Sequence, residues 1–176
     1  MANDDLEILL DAETIARRVR ELAAQISADY RGRPLRLVGI LKGAWVFLAD
    51  LVRELPLEVT VDFISIESYG DNSTTTGAVK ITKDLDRSIE GLDVLVVEDI
   101  LDTGHTFEYL RGVLEAHKPG SLKVVTLLDK PSRRVRPVQV DYVGFTIPDV
   151  FVVGYGLDYA QQYRNLPDVR ILRKTL

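Results

Sequence analysis

Residues 94–106 read VLVVEDILDTGHT. Val94 to Val97 is apolar at every position, the pattern of a strand covered on both faces. It runs into two acids, Glu98 and Asp99, then a polar turn, then a helical pattern from Thr106 to His117 that Pro119-Gly120 closes. In open sheets of parallel strands, ligands bind at such strand ends. The turn Asp102-Thr103-Gly104-His105-Thr106 supplies consecutive backbone N–H groups, two hydroxyls and a glycine that permits unusual dihedrals. All of these lie at a helix N-terminus, where partial positive charge collects, and together they suit a monophosphate. Adjacent residues of an extended strand point to opposite faces, so Glu98 and Asp99 reach one ligand only if the strand ends at them. A diol or hydrated magnesium would then suit the pair. Acids at 98, 99 and 102 would equally serve to cap the following helix, and spacing alone leaves the two readings level.

Outward from this stretch, strands and helices alternate. Ile15, Val19, Leu22, Ala23 and Ile26 recur at helical spacing after Asp11, a fitting N-cap, and Gly32 offers a stop, so residues 12–30 are predicted as an amphipathic helix. Leu35 to Leu41 is a short apolar strand, followed by a helical pattern over 44–55 that Pro56 closes. A long strand over 58–68 runs into YGDNSTTTG, residues 69–77, read as a mobile loop, and 79–85 as the returning strand. Residues 122–128, 142–147 and 150–153 are further strands. The pattern predicts an α/β fold with a mostly parallel core sheet flanked by helices, in one domain spanning residues 1–176.

The chain has 176 residues, 46% of them hydrophobic and 28% charged, which excludes a disordered tail or a fibrous repeat. It has no cysteine, so disulfides, thiolate zinc sites and a thiol nucleophile are all ruled out, and any metal would be held by oxygen. A net charge of −5 disfavours general attraction to a polyanion, and the expectation is no nucleic-acid partner. The start, MANDDLEILLDAE, has acids where a secretory signal has bases, and no apolar run is long enough to span a membrane. A soluble cytoplasmic protein without a membrane partner is expected.

The run VVEDILDTGHT, residues 96–106, resembles the phosphoribosyl-pyrophosphate signature of the type I phosphoribosyltransferases, and Asp102 resembles their hypoxanthine-guanine branch. Four further stretches match that family in order: LVGILKGAWVFLADL, the Ser68-Tyr69-Gly70 loop entrance, LLDKPSRR and IPDVFVVGYGLDYAQQYRNL. The resemblance implies the type I phosphoribosyltransferase fold, with a small hood subdomain built from the N- and C-terminal segments. It also implies purine salvage, the transfer of a 5-phosphoribosyl group from phosphoribosyl pyrophosphate to a 6-oxopurine with Mg2+ and release of pyrophosphate.

In that family's terms, Glu98 and Asp99 would hold the ribose hydroxyls and magnesium, and Asp102 would exchange the proton of purine nitrogen 7. Residues 102–106 (Asp102, Thr103, Gly104, His105 and Thr106) would bind the 5-phosphate, with His105 standing where other members have lysine. Lys42, Gly43 and Arg164 would bind pyrophosphate, and the resemblance implies a cis peptide at Leu41–Lys42. Lys130 would donate to the 6-oxo group, Phe151 would stack on the base, and Val152 would offer backbone groups to the base edge. Asp158 would lie at the purine site and bind a second magnesium with pyrophosphate, and Ser68 and Tyr69 would open a lid. From the residues alone, blander readings compete: a solvated surface charge for Lys130, a core ring for Phe151, turn chemistry for Asp158. A homodimer or homotetramer is expected. The rival from another class is a nucleotide-sensing, RNA-binding regulator of the same fold, which Asp102 and the acidic balance oppose.

Overall fold

The computed structural model describes residues 6–69 and 78–173. The expected loop over 69–77 therefore lies outside the described residues, apart from the backbone of Tyr69. Twelve elements follow in order: β1 (Leu6–Leu10), α1 (Ala12–Asp29), β2 (Leu35–Leu41), α2 (Trp45–Glu54), β3 (Val59–Tyr69), β4 (Ala78–Lys83), β5 (Asp93–Leu101), α3 (His105–Ala116), β6 (Ser121–Asp129), β7 (Tyr142–Thr146), β8 (Val152–Val153) and β9 (Val169–Leu172).

Helix α1 begins where its sequence demands. The Asp11 side chain accepts the Thr14 N–H at 2.7 Å, satisfying one of the donors that every helix start leaves over. The helix buries Ile15, Val19, Leu22, Ala23 and Ile26, and the chain turns away at Gly32 with φ +71°.

Six strands form the main sheet in the order β4-β3-β2-β5-β6-β7. All neighbours run parallel except the β3–β4 hairpin, which is antiparallel. Alternation along the central strands splits the core between two faces. Leu35, Leu37, Leu95 and Val97 pack with α1 and α2 on one side, whereas Val38, Ile40, Val94 and Val96 pack with Phe107, Leu110 and Leu114 of α3 on the other. Both faces of β2 and β5 are thus covered, which is why residues 37–41 and 94–97 read as apolar runs.

A second sheet, β1-β9-β8, is antiparallel and joins the two ends of the chain, pairing Leu6 with Leu172. Neither β1 nor β9 was visible in the sequence pattern. Strand order also locates the site. β2 is followed in sequence by β3 on one side and is flanked by β5 on the other, so the direction of winding switches between β2 and β5. Their carboxyl ends diverge there and leave a crevice, into which Lys42-Gly43 and the acidic stretch open.

Candidate active site

Strand β5 does not stop at its acids. Pairing with β2 ends at Val97, but pairing with β6 runs on to Leu101↔Asp129. The condition that Glu98 and Asp99 meet only at a strand end is therefore too strict. The two carboxyl groups hydrogen-bond to each other where β2 has left the ladder. Burial first, and then the neighbouring Asp99 charge, push Glu98 well above the usual carboxyl range. Burial raises Asp99 too, with the hydrogen bond to Glu98 acting against that rise. Glu98 thus holds its proton more tightly than an ordinary carboxyl does.

Glu98, Asp99, Asp102, Thr103, Gly104 and Thr106 line one cavity of about 180 Å³. Gly104 is the N-cap of α3, in the left-handed region at φ +88°, and no side chain caps the helix. The capping alternative for the three acids is thereby set aside, and the first N–H groups of α3 face the turn without a side-chain acceptor. A side chain on Gly104 would also collide with the Arg136 carbonyl, 2.8 Å from the place of a Cβ. Residues beyond β6 hold the turn: Val135 and Arg136 donate N–H bonds of 2.9 and 3.0 Å to the Thr103 carbonyl. His105 starts α3, but its side chain is exposed and is not part of the cavity wall.

A second cavity, of about 610 Å³, brings together Lys42, Asp158 and Arg164. The Leu41–Lys42 peptide is cis, as the resemblance implies. Arg164 lies 2.7 Å from Asp158 and donates to the Gly156 carbonyl at 2.7 Å. Asp158 also accepts the Gln161 N–H at 2.8 Å, so turn chemistry and a place in the cavity hold together for this residue. Gly156, at φ +100°, packs so closely on Gly43 that a Cβ there would be 2.3 Å from the Gly43 carbonyl oxygen.

Lys130 is 6% exposed, which removes the solvated-charge reading. Its Nζ donates to the Val150 carbonyl at 2.6 Å. Phe151, next along, is 43% exposed rather than a core ring, and meets Tyr159 edge to face with centroids 5.7 Å apart. Leu172 donates its N–H to the Phe151 carbonyl at 2.9 Å, so the groups of Phe151 face β9. By strand alternation those of Val152 face the outer edge of β8, which has no strand partner among the described residues. For Ser68 and Tyr69 only the backbone is described, paired with Val79 and Ala78.

Sequence reasoning missed Arg133. It closes a single 3₁₀ turn over Pro131–Arg133 after β6, with Nε 2.8 Å from Asp102 Oδ1 and Nη1 3.4 Å from Asp149 Oδ1. The basic run SRRVR, residues 132–136, was the available signal.

Among the described residues no three acidic, histidine or cysteine side chains converge as a metal cage. A magnesium ion in this crevice would take one or two carboxylates and draw its other oxygens from substrate and water, the usual arrangement for that ion. Glu98 and Asp99 on one wall, and Asp158 beside Arg164 on another, fit that requirement. No helix among the described residues is long and apolar enough to cross a membrane.

The chain is similar to known proteins. The chain is 46% identical over 173 residues to the hypoxanthine-guanine phosphoribosyltransferase of Bacillus subtilis, covering 98% of this chain and 96% of the relative. It is equally identical to the Bifunctional protein TilS/HprT of Listeria innocua, of whose length it spans 27%. A crystal structure of a hypoxanthine-guanine phosphoribosyltransferase from Bacillus anthracis superposes with a TM-score of 0.92 at 47% identity, covering 97% of this chain and all of the other. The family model described as phosphoribosyl transferase domain matches residues 5–160. With its crevice at the β2–β5 switch and that match over most of its length, the chain belongs to the phosphoribosyl transferase domain family.

Proposed function

We propose that this chain is a purine-salvage enzyme that transfers the 5-phosphoribosyl group of phosphoribosyl pyrophosphate to hypoxanthine or guanine. The observation that carries the reading is one crevice in which an uncapped helix start, an acid pair and Asp102 share a wall. The names of the relatives point to the same reaction.

The α3 N-terminus and the Thr103 and Thr106 hydroxyls bind the 5-phosphate. Glu98 and Asp99 take the ribose hydroxyls, with their carboxyl oxygens as acceptors. Lys42, the Gly43 backbone and Arg164 hold the pyrophosphate, Arg164 with its planar fork. The base lies on Phe151, with its 6-oxo oxygen facing Lys130 and its other edge at the Val152 backbone.

In the reaction, base nitrogen 9 bonds to ribose C1 as the bond from C1 to pyrophosphate oxygen breaks, its electron pair leaving with pyrophosphate. Positive charge develops on the sugar as in glycoside chemistry. The proton on nitrogen 7 passes to Asp102. Glu98, Asp99 and Asp158 would hold magnesium, which would supply charge neutralisation at the phosphates.

The test is to incubate the purified chain with phosphoribosyl pyrophosphate, magnesium and hypoxanthine or guanine, and to separate nucleotide and pyrophosphate by chromatography. Equimolar formation of both products supports the reading. Failure to form either nucleotide contradicts it.

A further inference from the structure

Asp102 has two unlike oxygens. Its side chain is 39% exposed, yet Oδ1 is fully covered and accepts no hydrogen bond. The exposure therefore belongs to the rest of the group, and the residue lines the crevice. The covered Oδ1 lies 2.8 Å from Arg133 Nε, whose N–H is not aimed at it, so the contact is an ion pair. A covered carboxylate oxygen without a donor is costly, and the guanidinium charge offsets that cost.

Arg133 is itself tethered. Its other end reaches Asp149 at 3.4 Å, directly before the Val150 carbonyl that receives Lys130. The same turn begins at Lys130, whose N–H donates to the Leu101 carbonyl at 2.9 Å, directly before Asp102. One short turn thus links the proton acceptor to the segment that carries the base-stacking ring.

Resting on the function proposed above, we propose that Arg133 is a positioning residue. It holds Asp102 by Oδ1 so that Oδ2 stays turned toward purine nitrogen 7, and Asp149 holds Arg133 in turn. Arg133 touches neither substrate nor the reacting atoms in this role. Without it the Asp102 carboxylate rotates freely, and the proton finds its acceptor misaligned.

The experiment compares Arg133→Ala and Arg133→Lys with the parent, and repeats Arg133→Ala in an Asp102→Asn background, measuring kcat and both KM values. Arg133→Ala should lower kcat about 10- to 100-fold, the penalty typical of a misplaced reacting group, with the KM for phosphoribosyl pyrophosphate within about twofold of the parent's. Arg133→Lys, which keeps the charge, should recover part of kcat. In the Asp102→Asn background the same change should cost no more than about twofold, because two residues acting through one contact do not add. A merely structural role would cost equally in both backgrounds, and that result, or parental kcat in Arg133→Ala, overturns the proposal. An inactive parent instead overturns the functional reading beneath it, so the two failures are distinguishable.

Discussion

Gly43 and the Asp99 carboxylate share one space. A Cβ on Gly43 would lie 1.5 Å from Asp99 Oδ2 and 2.5 Å from its Cγ, far inside contact distance. The Lys42-Gly43 loop and the acid pair are therefore fitted to each other through a missing side chain, and Gly156 packs closely on the same loop.

Gly43→Ala must then displace either the Asp99 carboxylate or the loop. Steady-state kinetics should show the KM for phosphoribosyl pyrophosphate raised about tenfold or more, because shifts of an ångström at a reacting centre commonly cost that much. A variant with parental KM and kcat would mean that this close fit is irrelevant to binding.

Asp102→Asn keeps the shape of the side chain and removes the carboxylate proposed to accept the proton. A fall in kcat of about 100-fold or more, with little change in the KM for phosphoribosyl pyrophosphate, is expected. Near-parental turnover would take the base role away from Asp102.

Glu98 supplies a prediction about pH. A carboxyl that holds its proton more tightly folded than unfolded makes the native state the better proton binder. Its contribution to stability therefore falls as pH rises from the ordinary value of 4.5 through the raised folded value. Glu98→Gln removes that loss. Thermal unfolding without substrate should show the variant gaining about 2 to 4 °C over the parent at pH 8 and less at pH 5. An equal or larger gain at pH 5 would count against a Glu98 that holds its proton more tightly in the folded state.

The readability of this chain depends on where partners lie. Val94 to Val97 announced a central strand because both of its faces are covered, and α1 showed its buried stripe and its Asp11 cap locally. β1 and β9 are short and partly exposed, and Leu6 finds its partner only at Leu172, so no local pattern marks them. Lys130 reads as a surface charge until Val150 supplies the carbonyl that makes its burial tolerable. The acids were placed at a strand end because charge follows the apolar run. The structure instead ends one ladder at Val97 and continues the other, a distinction that depends on two different neighbours. Arg133 was missed because its meaning lies wholly in Asp102 and Asp149, neither of which is near it in sequence.

Lys130 offers the most direct test of the central claim, that this crevice transfers phosphoribosyl to a 6-oxopurine. Its ammonium has only donors, and hypoxanthine and guanine present an acceptor where adenine presents an amino group. The measurement is kcat/KM for hypoxanthine, guanine and adenine in the parent and in Lys130→Ala. The parent should use both 6-oxopurines and reject adenine by about 10⁴ or more, because a buried donor without its partner is expensive. Lys130→Ala should lose most activity on the 6-oxopurines, with its discrimination against adenine narrowed. A parent that uses adenine as readily as hypoxanthine, or a Lys130→Ala variant as active on hypoxanthine as the parent, would contradict the account.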